Sequence, residues 1–352
     1  MNVYVLLISC AVIFFGSIVW MKYKRPWRPT MDYRIKRRLF DLPINILGFW
    51  IFLFASGYFE SMIIQIPDMR PTFVMCFTRM VSLAVTGAYL FFRMTRPTHP
   101  GPFALPAVFN TLATVSQYIA LEVGVAFAEF GAAKSLRILI VGLYGSKDNK
   151  ERLAWGLVSV LAAKWLFWYE FSRTDWTMPM PIGIIWLIIF ILADSYTSIG
   201  QEEIYKRFKV SNFTMMFYIN SYMLLLIIPQ LFLEEDTLLV TARALSTNPW
   251  YICSLLLLTA CAGIAQFFAL RLIRQYGALT FTVACTFRTL FTVVAAKYLR
   301  YGYYDWYEVL EVVGMILIVV VIMFRRKPWK RAHGNNLPKV LYADLMPLIS
   351  ED

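Results

Sequence analysis

The chain has 352 residues, 59% of them hydrophobic and only 16% charged, with a formal net charge of +12. So apolar a composition excludes a soluble globular domain, which carries about 25% charged residues. The basic excess would suit nucleic acid, but the placement of the charges excludes that partner.

A hydrocarbon core needs about 20 apolar residues to be crossed by a helix. Such runs occur in chain order at 3–21, 42–66, 71–92, 103–121, 127–144, 154–171, 181–200, 213–233, 250–270, 277–297 and 304–324. The first is an extra N-terminal span. It lacks a basic leading segment and is followed by Lys22, Lys24 and Arg25, so an uncleaved span is expected rather than a signal peptide. The rest are spans 1 to 10. Their connections are short, which leaves no room for a soluble ATPase domain. The segment GLYGSKD at 142–148 lacks phosphate-loop spacing and follows a membrane span instead of a strand.

The 34 Lys and Arg residues are distributed unevenly. Twenty-four lie on alternate sides: before span 1, after spans 2, 4, 6 and 8, and in the tail after span 10. The opposite connections hold five. This asymmetry places the basic loops and the C-terminal tail in the cytosol. The basicity is therefore topological first, with attraction to acidic membrane lipid as a secondary consequence. In the tail, Tyr342 to Leu345 fits a YxxΦ sorting pattern, and Asp344 through Leu348 and Ile349 fits an acidic dileucine pattern, so sorting adaptors are expected partners. The sequon Asn212-Phe213-Thr214 falls on the cytosolic side and is expected to stay unmodified. The five cysteines lie in or beside spans, and His99 and His333 stand alone, so no metal site and no cofactor is expected.

Five cations remain inside apolar spans, and four of them stand out: Arg79, Lys134, Arg137 and Arg288. Each costs about 2.5–3.5 kcal/mol near the bilayer centre. Lys134 and Arg137, at i and i+3, share one helix face. Glu60, Asp194 and Glu202 are candidate ion-pair partners, too few to neutralise all four if other groups claim them. An anion-binding cavity is the expected use. Gln117, Ser135, Asn220 and Gln266 are uncharged polar groups in spans 3, 4, 7 and 8, suited to reading a base or ribose or to bonding between helices. Lys164, mid-span in AAKWLFW, has no evident partner.

The two halves echo each other. SQYIALEVGVAFAEFGAA (116–133) matches AQFFALRLIRQYGAL (265–279), with Gln117 against Gln266 and Gly131 against Gly277. Span 1 ends in GYFE and span 6 in GQEE. Duplication of a five-span unit inverts the second copy in the membrane, the architecture of alternating-access carriers with a midplane site.

Several blocks resemble the nucleotide-sugar transporter family of the drug/metabolite transporter superfamily. They are FTRM through Arg79, SQYIALEVGVAFAEFGAAKSLR through Lys134 and Arg137, DSYTSIGQEEIYKRF through Asp194, Ser195 and Gln201, TMMFYIN through Asn220, and QYGALTFTVACTFRTLF through Thr286 and Arg288. The likeness runs from about residue 45 to 325 and is greatest to the subfamily that carries 3′-phosphoadenosine 5′-phosphosulfate. It departs at Glu60, Ser61, Ile199, Gly200 and Thr289. The resemblance implies an all-α polytopic membrane protein with the ten-helix drug/metabolite transporter fold, a 5+5 inverted repeat, plus the extra N-terminal span. The expected divisions are 1–41, 42–176, 177–325 and 326–352. It further implies antiport, not enzymatic catalysis. A nucleotide-type anion would enter the Golgi lumen against a nucleoside monophosphate, with Arg79, Gln117, Lys134, Ser135, Arg137, Asp194, Gln201, Asn220, Gln266, Thr286 and Arg288 at the site. UDP- or GDP-sugar transport is the alternative within the fold, and a transport-inactive scaffold the alternative of another class. A homodimer, and the endoplasmic reticulum or endosomes in place of the Golgi, stay open.

Overall fold

The computed structural model describes residues 31–301 except 65–70, 94–98, 124, 126, 146–148, 172–180, 209, 234–240, 242 and 244–249, together with positions 310 and 314. The expected N-terminal span, span 10 apart from positions 310 and 314, and the tail residues Tyr342, Asp344, Leu345, Leu348 and Ile349 lie outside the described residues. Within them the chain is helical: α1 (Met31–Ile64), α2 (Pro71–Phe92), a 3-10 turn (Gly101–Phe103), α3 (Ala104–Glu122), α4 (Phe127–Gly145), α5 (Asn149–Phe171), α6 (Pro181–Arg207), α7 (Asn212–Leu233), α8 (Trp250–Tyr276) and α9 (Ala278–Tyr301). Stretches of α1, α2, α6, α7 and α8 are long and apolar enough to cross a membrane. The protein is a polytopic all-α membrane protein.

Three boundaries differ from the sequence reading. α1 begins at Met31, so the second half of the expected basic linker is helical. MDYRIKRRLFD contains neither Gly nor Pro and adds its charges to a helix already started by the apolar run. α6 continues past the expected end at 200 to Arg207. Its last turns are held by Lys206 Nζ at 2.9 Å from Glu202 and 3.0 Å from Glu203, with Arg207 Nε 3.6 Å from Glu203. Cations there also complement the C-terminal end of the helix dipole. α8 runs on through Arg271 and Arg274 to Tyr276 and meets α9 at a single residue, Gly277, with φ +92°. Only glycine takes that conformation without steric cost. The first amide of α9, Ala278 N–H, donates to Glu202 Oε2 at 2.6 Å, so α6 caps α9.

Packing proceeds in helix pairs: α1 with α8, α3 with α6, α2 with α7, α4 with α5, and α9 against both α4 and α8. Lipid tails are as apolar as side chains, so association depends on close fit. On α7, Met215, Ile219, Met223 and Ile227 repeat at a spacing of four and are buried with Cys76, Phe103 and Leu270. Leu225, on the other face, is 68% exposed, as a lipid-facing side chain should be. Between α4 and α5, a Cβ on Gly142 would lie 2.8 Å from Trp155 Cβ, so only glycine permits that approach. Several hydroxyls inside the helices are satisfied by their own backbone. Thr280, Thr282, Thr286 and Thr289 of α9 each donate to the carbonyl four residues back. These apolar seams leave a polar zone between α1, α2, α3, α4, α6, α7, α8 and α9.

Candidate functional site

Two groups of polar side chains occupy that zone. The first joins α2, α7 and α8. Arg79 Nη1 donates to Asn220 Oδ1 at 3.2 Å, and Asn220 Nδ2 donates to Gln266 Oε1 at 3.4 Å. Asn220 is fully buried on the same seam as Ile219 and Met223. A neutral amide thus fixes the Arg79 guanidinium without neutralising it.

The second group joins α4, α6, α9 and α1. Arg137, only 6% exposed, forms an ion pair with Asp194 of α6. One turn away on both helices, Lys134 Nζ sits 5.9 Å from the centre of the Phe190 ring. Lys134 and Arg137 therefore do share a face of α4, and that face meets the Phe190–Asp194 face of α6. Arg288 on α9 lies over Phe54 of α1, its Cζ 5.9 Å from the ring centre. One turn before, Trp50 Nε1 donates to the carbonyl of Ala284 at 3.0 Å, which fixes the register of α1 against α9. Lys134 is within electrostatic reach of Arg288, Arg137 and Glu60 together. Buried Arg137 Nε has no hydrogen-bond partner among the described residues.

Glu60 and Tyr118 stand between the groups. Tyr118 on α3 donates to Glu60 Oε1 at 2.9 Å, and Tyr118 lies within electrostatic reach of Arg79. On α1, Gly57 separates Phe54 from Glu60, and a Cβ there would meet nothing within 4 Å. Open space adjoins the stretch of helix that contacts the cations.

The remaining expected residues fall around this zone in different ways. Gln117 makes no hydrogen bond to a described residue, whereas its repeat counterpart Gln266 does. Ser135 is buried, and its carbonyl accepts from Ser159 Oγ at 3.1 Å, toward α5. Gln201 is buried on α6. Thr286 donates to Thr282 O at 3.2 Å, and Ser195 to Ile191 O at 2.6 Å, so both hydroxyls bond to their own helix. Glu202 is engaged at the helix ends with Lys206 and Ala278 instead of with the deep cations. Lys164 is exposed on α5, outside the polar zone. The sequon residue Asn212 is buried, and its Oδ1 accepts from Tyr205 at 3.2 Å and from Arg274 at 3.4 Å.

Sequence reasoning missed Phe54, Phe190 and Tyr118. Helical spacing could have found Phe190, one turn before Asp194, and Tyr118 is the neighbour of Gln117. Phe54 had no local signal, because its role depends on α9 lying beside α1.

The UAA transporter family matches residues 123–324. Among curated relatives, adenosine 3′-phospho 5′-phosphosulfate transporter 1 of Homo sapiens is 28% identical over 240 residues, covering 66% of this chain and 54% of the relative. The protein of that name from Drosophila melanogaster is 23% identical over 285 residues, covering 76% and 60%. UDP-galactose/UDP-glucose transporter 5 of Arabidopsis thaliana is 24% identical over 285 residues, covering 74% and 80%. The chain spans about half the length of the human relative it matches. The matched segment holds Lys134, Arg137, Asp194, Asn220, Gln266 and Arg288, most of the polar zone, and by that match the chain belongs to the UAA transporter family, a family of transporters.

Proposed function

We propose that the protein is an alternating-access antiporter that moves 3′-phosphoadenosine 5′-phosphosulfate into the Golgi lumen in exchange for a nucleoside monophosphate. One observation carries this reading: Lys134 and Arg137 on one face of α4 and Arg288 on α9, two helices in contact, gather near one another. Like charges gathered away from water repel each other and are costly to desolvate. A bound anion would offset that cost. Arg79, fixed by Asn220 without losing its charge, extends the cationic surface, and buried Arg137 Nε is a donor such an anion would satisfy. Gln266, Gln117, Ser135, Gln201 and Thr286 would surround base and ribose, and Asp194 would hold Arg137 in place. The sulfate and two phosphates of this substrate carry about four negative charges, the 3′-phosphate contributing about two. The human and fly relatives are named for that cargo.

The ten-helix, 5+5 arrangement is part of the reading, with repeats at 42–176 and 177–325, an N-terminal unit at 1–41 and a cytosolic tail at 326–352. Its support is an exchange symmetry in the packing. Advancing each helix by five spans turns the pair α1 and α8 into α6 and α3, and the pair α2 and α8 into α7 and α3, while α2 with α7 and α4 with α9 map onto themselves. All of these pairs are in contact.

A nucleotide-sugar substrate has a specific observation in its favour. Asp194 consumes one cation, and a nucleoside diphosphate carries about half the charge. The Arabidopsis relative is named for two such sugars. The test is a melting screen of the purified full chain with 3′-phosphoadenosine 5′-phosphosulfate, UDP-galactose, GDP-mannose and nucleoside monophosphates, followed by exchange in proteoliposomes. The cargo should raise the melting temperature as [L]/Kd grows. Stabilisation by UDP-galactose or GDP-mannose alone would reassign the cargo. No stabilisation by any of them would leave the scaffold reading in place of the carrier.

A further inference from the structure

Glu60 is a carboxylate at the edge of a cationic cluster, yet its observed hydrogen-bond donor is neutral: the Tyr118 hydroxyl at 2.9 Å. It comes from α1, whereas the cation within its reach, Lys134, comes from α4 and the tyrosine from α3. On α1 it follows Phe54, which lies under Arg288, and Gly57, beside which there is open space. Among the described residues, the titratable and charged groups around this corner are Arg79, Tyr118, Lys134, Arg137, Cys285 and Arg288. Asp194, the other nearby carboxylate among the described residues, is committed to Arg137.

We propose that Glu60 is a resident counter-anion of the substrate site, which the anionic group of the substrate must outcompete for Lys134, and that Tyr118 is the positioning residue that moderates it. Two anions cannot both sit against one ammonium without repelling each other. In the empty site Glu60 compensates part of the cationic charge. When substrate enters the space beside Gly57, its phosphate takes over Lys134, and Glu60 is left on the Tyr118 hydroxyl. On release Glu60 re-engages, so the carboxylate weakens binding and speeds departure. This inference rests on the carrier reading and adds a specificity rule to it: a weakly charged analogue cannot displace Glu60.

The two residues should give effects of opposite sign. Removing the negative charge in Glu60→Gln should tighten binding about tenfold, by the loss of a nearby repulsive charge at an effective dielectric of about 20. Turnover should fall, because release slows, so KM and kcat drop together. Tyr118→Phe frees the carboxylate to engage Lys134 fully, and Kd should rise about threefold, the worth of one neutral hydrogen bond. The double variant Glu60→Gln/Tyr118→Phe should behave as Glu60→Gln, because tyrosine acts through the carboxylate.

The measurement is Kd by titration calorimetry and exchange kinetics in proteoliposomes, on the full-length chain, with 3′-phosphoadenosine 5′-phosphosulfate and UDP-galactose as probes and melting temperature as the folding control. Weaker or unchanged binding by folded Glu60→Gln overturns the inference while leaving the carrier reading intact. If Glu60→Gln does not fold, a Tyr118→Phe variant that binds as tightly as wild type or tighter overturns it by itself. A wild-type chain that binds neither probe removes both inference and reading.

Discussion

The contact of α4 with α6 and the contact of α9 with α1 are built alike and charged differently. In each, an arginine near the middle of one helix reaches a neighbouring long helix, Arg137 toward α6 and Arg288 toward α1. In the first the opposing group is a carboxylate, Asp194, and in the second it is the ring of Phe54. On the proposed repeat these are equivalent contacts. On the proposed function this difference would divide the labour: Arg137 would anchor the helices, and Arg288 would present its charge to the anion. A cation over a ring keeps its full charge, while an ion pair spends it.

The comparison can be broken most forcefully at Arg137. Arg137→Ala leaves the largely enclosed Asp194 without its partner, and unfolding by denaturant should show a loss of about 3 kcal/mol. Arg288→Met should follow the other pattern. Its stability loss should be smaller than that of Arg137→Ala, and uptake into proteoliposomes should fall by about 100-fold, equivalent to about 2.7 kcal/mol. Similar melting curves for the two variants would erase the distinction. Asn220→Leu extends the contrast to Arg79, whose guanidinium loses its acceptor. KM should rise about tenfold with kcat little changed, in line with a hydrogen bond to a charged group. The smallest effect is expected at Gly57. Gly57→Ala should raise stability by about 0.8–1 kcal/mol, because alanine favours the helix and its Cβ meets no neighbour. Transport should nevertheless fall, since the methyl occupies the space assigned to substrate. Equal or faster transport would place that face of α1 against lipid.

Much of the fold could be read from the chain because membrane spans announce themselves by length and apolarity. Spans 1 to 9 each correspond to one described helix. The ends were less legible, for reasons outside each span. α6 outlasts its apolar run because Glu202 and Glu203 meet Lys206 and Arg207 one turn on, and α8 does so because Gly277 rather than the basic pair stops it. At the site, cost made the four cations conspicuous, and spacing gave the shared face of Lys134 and Arg137. Asp194 was legible as an acid available to the cations, but which groups pair with which could not be read. The Asp194–Arg137 pair, the Arg79–Asn220–Gln266 chain and the Tyr118–Glu60 bond each join residues more than 40 positions apart, and sequence spacing carries no information about such contacts. Thr286 shows a further limit: sequence does not reveal that a polar residue in a motif donates its hydroxyl to its own backbone.

Gly277 has a mechanical consequence. Gln266 on α8 and Arg288 on α9 each lie eleven residues from it, on opposite arms. At 1.5 Å per residue the arms are about 16 Å long, and opening this joint by about 10° would carry one tip about 3 Å from the other. The pivot works like the hinge of a pair of dividers whose points rest on the two polar groups, with Glu202 set against the hinge. A small rotation at this joint would change the distance between those two groups.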